Sequence, residues 1–154
     1  MNSQINLAVD PVVRAHPRTL LSIQANASIR EAMAVLRDAC RGCVLIFRDQ
    51  QMAGIFTERD ALRVMALETD VDQSVESVMH SPVVSVEYDE SVSTAISRML
   101  RGGYRRLPVL NGSSEPIGIL TVKTILHYLV DHFPSVVYTL PPEPHYSTHL
   151  REGA

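Results

Sequence analysis

Apolar positions along the chain fall into two alternating rhythms. Ile29, Ala32, Met33, Leu36 and Cys40 recur at i, i+3, i+4, i+7 and i+11, the stripe of an amphipathic helix. Ser28 ahead of that stripe and Glu31 three residues on have capping-box spacing, so the helix is predicted to start at about Ile29. A continuous apolar run, Val44-Leu45-Ile46-Phe47, then ends in Arg48-Asp49-Gln50-Gln51, which predicts a strand entering a turn. Another strand ends at Thr57, and a helical pattern follows through Ala61, Leu62, Val64 and Met65.

The same order then recurs. Leu20-Leu21-Ser22-Ile23 resembles Val83-Val84-Ser85-Val86, Ser28 matches Ser91 and Ala32 matches Ala95, each 63 positions apart. After a one-residue shift, Gly54-Ile55-Phe56-Thr57 matches Gly118-Ile119-Leu120-Thr121. The second helix stripe is Val92, Ala95, Ile96, Met99 and Gly103, the second strand run Leu107-Pro108-Val109-Leu110, and its turn Asn111-Gly112-Ser113-Ser114. A closing helix is expected through Ile125, Leu126, Leu129 and Val130. Each copy reads as β-α-β-β-α, an α+β unit. Two such units bury their apolar faces best when packed about a pseudo-twofold axis, which leaves a groove between them as the natural binding site.

The expected divisions are an N-terminal segment 1–11, repeat one over 12–69, a connector over 70–81, repeat two over 82–133 and an arm over 134–154. The connector carries a short amphipathic turn, Val75-Glu76-Ser77-Val78-Met79, and is not expected to be a flexible linker. Pro134, Pro141, Pro142 and Pro144 make the arm extended, and its first half is expected to lie along the module or a dimer partner.

Composition narrows the function classes. Fourteen Lys and Arg against 17 Asp and Glu give a formal charge of −3, no general attraction for nucleic acid. Aromatic residues at 5% and the absence of tryptophan leave little material for base stacking. No window approaches the roughly 18 apolar residues of a membrane span, and Met1 to Asp10 lack a secretory pattern. Only two cysteines, Cys40 and Cys43, point to a reducing compartment, and the expectation is a cytoplasmic protein. Their C-x-x-C spacing lacks the further ligands of a zinc site, and His127 and His132 miss the i, i+4 spacing of a helical metal pair. No metal, required cofactor or catalytic set is expected.

Chemistry concentrates where strands run into helices. Gly54-Ile55-Phe56-Thr57-Glu58-Arg59-Asp60 presents a hydroxyl, unpaired helical N–H groups and a carboxylate at one spot, suited to a ribose diol. The alternative is a plain helix cap. Arg105 and Arg106 at a strand start, with Arg59 and Lys123 at helix starts, suit phosphate oxygens or form a solvated charge cluster. His80, at the end of the connector, is a further candidate.

With Gly54 to Asp60, and with Arg106-Leu107-Pro108-Val109 followed by Gly118 to Thr121, the chain resembles the tandem CBS-domain (Bateman module) family over roughly Val12 to His132. The resemblance implies two repeats in one module, commonly dimerised, with apolar positions of the closing helices such as Leu62, Met65, Leu126 and Leu129 expected to be exposed for that contact. It also implies binding of AMP, ADP, ATP or S-adenosylmethionine between the repeats, with occupancy passed to a partner protein. Together with the cations and His80 read above, the residues expected to contact ligand are Thr57, Asp60, Thr121, Arg106, Arg105, Arg59, Lys123 and His80. One position departs from the signature: Thr124 stands where the second copy should have Asp. Unequal pockets are therefore expected, with ligand held mainly by Thr57 and Asp60, because a neutral hydroxyl is the poorer acceptor for a diol. The competing expectations are a ligand-free interaction dimer and a redox adaptor using Cys40 and Cys43.

Overall fold

The computed structural model describes residues 5–132 of the 154-residue chain. Repeat one comprises β1 (Ser22–Gln24), α1 (Ile29–Ala39), β2 (Cys43–Arg48), β3 (Gln51–Thr57) and α2 (Glu58–Ala66). Repeat two comprises β4 (Val86–Glu87), α3 (Val92–Gly102), β5 (Arg106–Leu110), β6 (Pro116–Thr121) and α4 (Val122–His132). Each sheet has three strands, the first parallel to the second and the second antiparallel to the third. The fold is α+β, with two tandem repeats.

Local chemistry accounts for the elements. The Ser28 side chain accepts from the Glu31 N–H while Glu31 accepts from the Ser28 N–H, the reciprocal cap expected for α1. Ile29, Ala32 and Leu36 are buried in repeat one; Val92, Ala95 and Met99 are their counterparts in repeat two. Cys40 and Gly103, counted above in the apolar stripes, instead end the helices in left-handed conformation at φ 50° and 66°. The final helices also depart from a simple stripe. Val64 is buried in α2 and Ile125 and Tyr128 in α4, whereas Leu62, Met65, Leu126 and Val130 are exposed. Leu129, expected outside, packs against the repeat-two core.

Each repeat is completed by the segment that leads into the other. Residues 5–16, with the short 3-10 helix Val12–Ala15, lie on repeat two, where Ile5, Leu7, Val12 and Ala15 join its core. In the same way the connector lies on repeat one through Val71, Val75, Val78 and Met79. The hydrogen bonds match at the 63-residue offset. Val12 N–H donates to Glu90 O and Val75 N–H to Ala27 O, both at 2.8 Å; Val92 N–H donates to Asp10 O and Ile29 N–H to Gln73 O, both at 2.9 Å. The connector is thus structured, with the fully buried Val75 at its centre. Burying such a side chain contributes about 1.5–3 kcal/mol.

Asp10 is buried on this seam. It accepts from Asn6 N–H at 2.8 Å, Tyr128 OH at 2.9 Å and Arg14 Nη1 at 2.6 Å. The Asn6 N–H above all, helped by Tyr128 and Arg14 against the effect of burial, holds its carboxyl below the ordinary range. A third apolar cluster joins the sheets, with Cys43, Leu45 and Ile55 of repeat one against Ile119 and Val83. The arm expected over 134–154 lies outside the described residues.

Candidate functional site

The edges of β3 and β6 each take up the segment that leads into the other repeat. Ile55 exchanges both backbone hydrogen bonds with His80, at 2.8 and 3.0 Å, and Ile119 exchanges both with Arg18, at 2.8 and 2.9 Å. Each last strand therefore carries the other repeat's leading segment along its edge. That close approach needs the signature glycines. A Cβ on Gly118 would lie 3.0 Å from Pro17 Cβ and 3.2 Å from Arg18 O; one on Gly54 would lie 3.1 Å from His80 O and press into Met79.

A cleft of about 660 Å³ opens where Arg18 and Thr19 cross repeat two. Leu21, Cys43, Ile119 and Leu126 give it apolar wall, and Thr121 and Val122 stand where β6 becomes α4. Arg18, Arg41, Arg105, Arg106 and Lys123 bring five cations to its lining against one carboxylate, Glu58. Glu58 belongs to repeat one and Arg106 to repeat two, and Arg106 Nη2 donates to Glu58 Oε2 at 3.1 Å across the junction.

The cation asymmetry follows from the strand register. Arg106 is directly opposite Thr121, while Cys43 is directly opposite Thr57. Around Thr121 the chain thus sets a guanidinium where the equivalent corner of repeat one sets a thiol. Burial pushes the Cys43 thiol up, and Arg106 and Arg41 pull only partly against it. Cys40 is exposed, and both cysteines are unbridged.

Of the residues singled out in the sequence, Thr121, Arg105, Arg106 and Lys123 line this cleft; Thr57, Asp60, Arg59 and His80 do not. Thr57 and Asp60 form a capping box, with Asp60 Oδ2 accepting from Thr57 Oγ1 at 2.7 Å and from Thr57 N–H at 2.9 Å. Arg63 Nη1 approaches the other oxygen at 3.5 Å. Thr124 does the equivalent work at α4, where its hydroxyl accepts from Thr121 N–H at 3.0 Å and donates to Thr121 O at 2.9 Å. His80 stands on the β3 side, its ring 6.4 Å from that of Tyr104. Arg18, Thr19, Arg41 and Glu58 were not foreseen. The 63-residue repeat could have flagged Arg18, the counterpart of Ser81 beside His80, but not which repeat it would lie upon. Among the described residues no cluster of His, Cys, Asp and Glu suits a metal, and no helix is long and apolar enough to cross a membrane.

A paired-repeat module with an inter-repeat cleft is the class that this geometry defines. The CBS domain family model matches residues 9–67 and 75–131, and the chain belongs to that family. An uncharacterised 17.7 kDa protein of Acidianus ambivalens is 30% identical over 110 residues, covering 71% of this chain and 66% of its own length. An uncharacterised protein of Methanopyrus kandleri is 35% identical over 101 residues, covering 62% of this chain and 52% of its own. The chain therefore spans between about half and two thirds of the length of these relatives. Among solved structures, a CBS-domain protein of Burkholderia ambifaria superposes with TM-score 0.69 at 27% identity, covering 81% of this chain and 90% of that one. A CBS domain protein of Pyrobaculum aerophilum complexed with AMP gives TM-score 0.71 at 22% identity, covering 80% and 98%. A CBS domain pair in complex with 5′-methylthioadenosine and S-adenosyl-L-methionine gives 0.71 at 21%, covering 78% and 99%.

Proposed function

We propose that the chain is a regulatory module, without catalysis of its own, that binds an adenine nucleotide or S-adenosylmethionine between its repeats and passes occupancy to a partner protein. One observation carries this proposal: a cleft built from both repeats, lined by apolar and cationic side chains together, beside the Thr121 end of a signature strand. Apolar wall suits a purine ring, the Thr121 hydroxyl a ribose, and the guanidinium groups phosphate oxygens. The AMP complex of the Pyrobaculum protein and the adenosyl complexes of the other pair support the ligand class. The two unbridged cysteines support action in the cytoplasm.

Thr57, Asp60, Arg59 and His80 form a second candidate corner by pseudo-symmetry, and Asp60 supplies there the carboxylate that Thr124 lacks. The register favours the Thr121 corner, because Arg106 faces Thr121 and only Cys43 faces Thr57. We also propose a homodimer through α2 and α4, supported by exposed Leu62 (69%), Met65 (63%), Leu126 (54%) and Val130 (57%).

A thermal-shift panel of AMP, ADP, ATP and S-adenosylmethionine tests the ligand class. A ligand held at 100 times its Kd stabilises by about 2.7 kcal/mol, so at least one should raise Tm by several degrees. No shift from any of the four would favour the ligand-free interaction dimer.

A further inference from the structure

Five cations converge on the cleft in a chain whose formal charge is −3. Such a concentration of charge is matched by a ligand with several negative charges. S-adenosylmethionine carries a sulfonium and an ammonium against one carboxylate, so the cleft opposes it. AMP offers one phosphate to five cations drawn from both repeats: Arg18 and Arg41 from the first, Arg105, Arg106 and Lys123 from the second. A polyphosphate chain has enough charged oxygens to engage several of them at once. Glu58 complicates entry, because its carboxylate already accepts from Arg106 across the junction, and Arg106 is the guanidinium opposite Thr121.

We propose that the cleft selects a polyphosphate chain, as in ADP or ATP, and that Glu58 sets the threshold by holding Arg106 until phosphate oxygens replace it. The proposal rests on the nucleotide-binding function above and extends it to a ligand class and a specificity-determining residue. Glu58 is the first residue of α2, with its side chain largely exposed, and its N–H donates to Gly42 O at 3.2 Å. Exchange of Arg106 from carboxylate to phosphate would release a tie between the repeats at the start of α2. The helix cap would stay intact, since it belongs to Thr57 and Asp60. The exchange makes and breaks no covalent bond. Its cost is that of one partly exposed ion pair, within a range of 0.2–1 kcal/mol, so removal of the carboxylate should tighten phosphate binding by about 1.5- to 5-fold.

The test is titration calorimetry of ATP, AMP, adenosine and inorganic tripolyphosphate into the full-length wild type and Glu58→Gln. Expected is ATP tighter than AMP in the wild type, with ATP and tripolyphosphate both tightened in Glu58→Gln and adenosine unchanged. Equal ATP and tripolyphosphate affinities in the two proteins would overturn the threshold role, as would equal tightening of adenosine. Wild-type binding of AMP as tight as ATP, with no uptake of tripolyphosphate, would overturn the ligand class while leaving nucleotide binding intact. Tripolyphosphate bound and tightened, with no gain from the nucleoside, would uphold the polyanion cleft and refute the adenine nucleotide. A Tm for Glu58→Gln within a degree or two of wild type confirms that folding is not the cause.

Discussion

Gly118 shows how one residue type joins fold and site. It has no Cβ to hold Pro17 and Arg18 away from β6, and Arg18 is one of the cations that line the inter-repeat cleft. Gly118→Ala places a methyl 3.0 Å from Pro17 Cβ and 3.2 Å from the Arg18 carbonyl, an overpacking against backbone that cannot rotate away. The expected cost is about 1–3 kcal/mol, read as a lower urea midpoint at unchanged m-value, with weaker ATP binding because Arg18 shifts. An unchanged midpoint would mean that the crossing segment is not held as described. The glycine itself was visible in the repeat, but its reason was not, since the segment it accommodates comes from 100 residues earlier in the chain. Asp10 was hidden for a similar reason. A carboxylate in a short polar segment reads as surface until Tyr128, 118 positions on, is found donating to it.

At the scale of elements, α2 and α4 begin alike, each capped by a Thr whose partner three residues on closes the turn, Asp60 in one and Thr124 in the other. Both then leave apolar side chains outside the module, Leu62 and Met65 on α2 and Leu126 and Val130 on α4. Light scattering at micromolar concentration should give twice the 17.1 kDa chain mass. Leu62→Glu combined with Met65→Glu should shift it towards the monomer, since each charge would have to be desolvated in the interface. A monomeric wild type would contradict the dimer. The helices were the most legible elements, because the 3.6-residue stripe and the caps lie within a dozen residues of one another. Val12–Ala15 was not foreseen, as a 3-10 helix of four residues carries no periodicity to detect. Leu62, Met65 and Leu126 face outward as expected, whereas Leu129 packs inward because the repeat-two core reaches it, which the local pattern does not specify.

For the whole molecule, the repeats are interlocked: each leading segment completes the other repeat's core and lines the other repeat's last strand. A ligand between them therefore touches residues whose positions depend on both halves. The repeat, the strand and helix order and the cationic residues at Arg105, Arg106 and Lys123 were readable from the chain. That Arg106 stands opposite Thr121 was not readable, because it is a fact of register across a hairpin. The measurement closest to the central claim is a crystal structure of the full-length protein grown with millimolar ATP. The account predicts nucleotide in the inter-repeat cleft, its ribose at Thr121 and its phosphates within hydrogen-bond reach of Arg106 and at least one of Arg18, Arg105 and Lys123. Nucleotide held instead by Thr57 and Asp60 with this cleft unfilled, or no nucleotide bound at all, would contradict it.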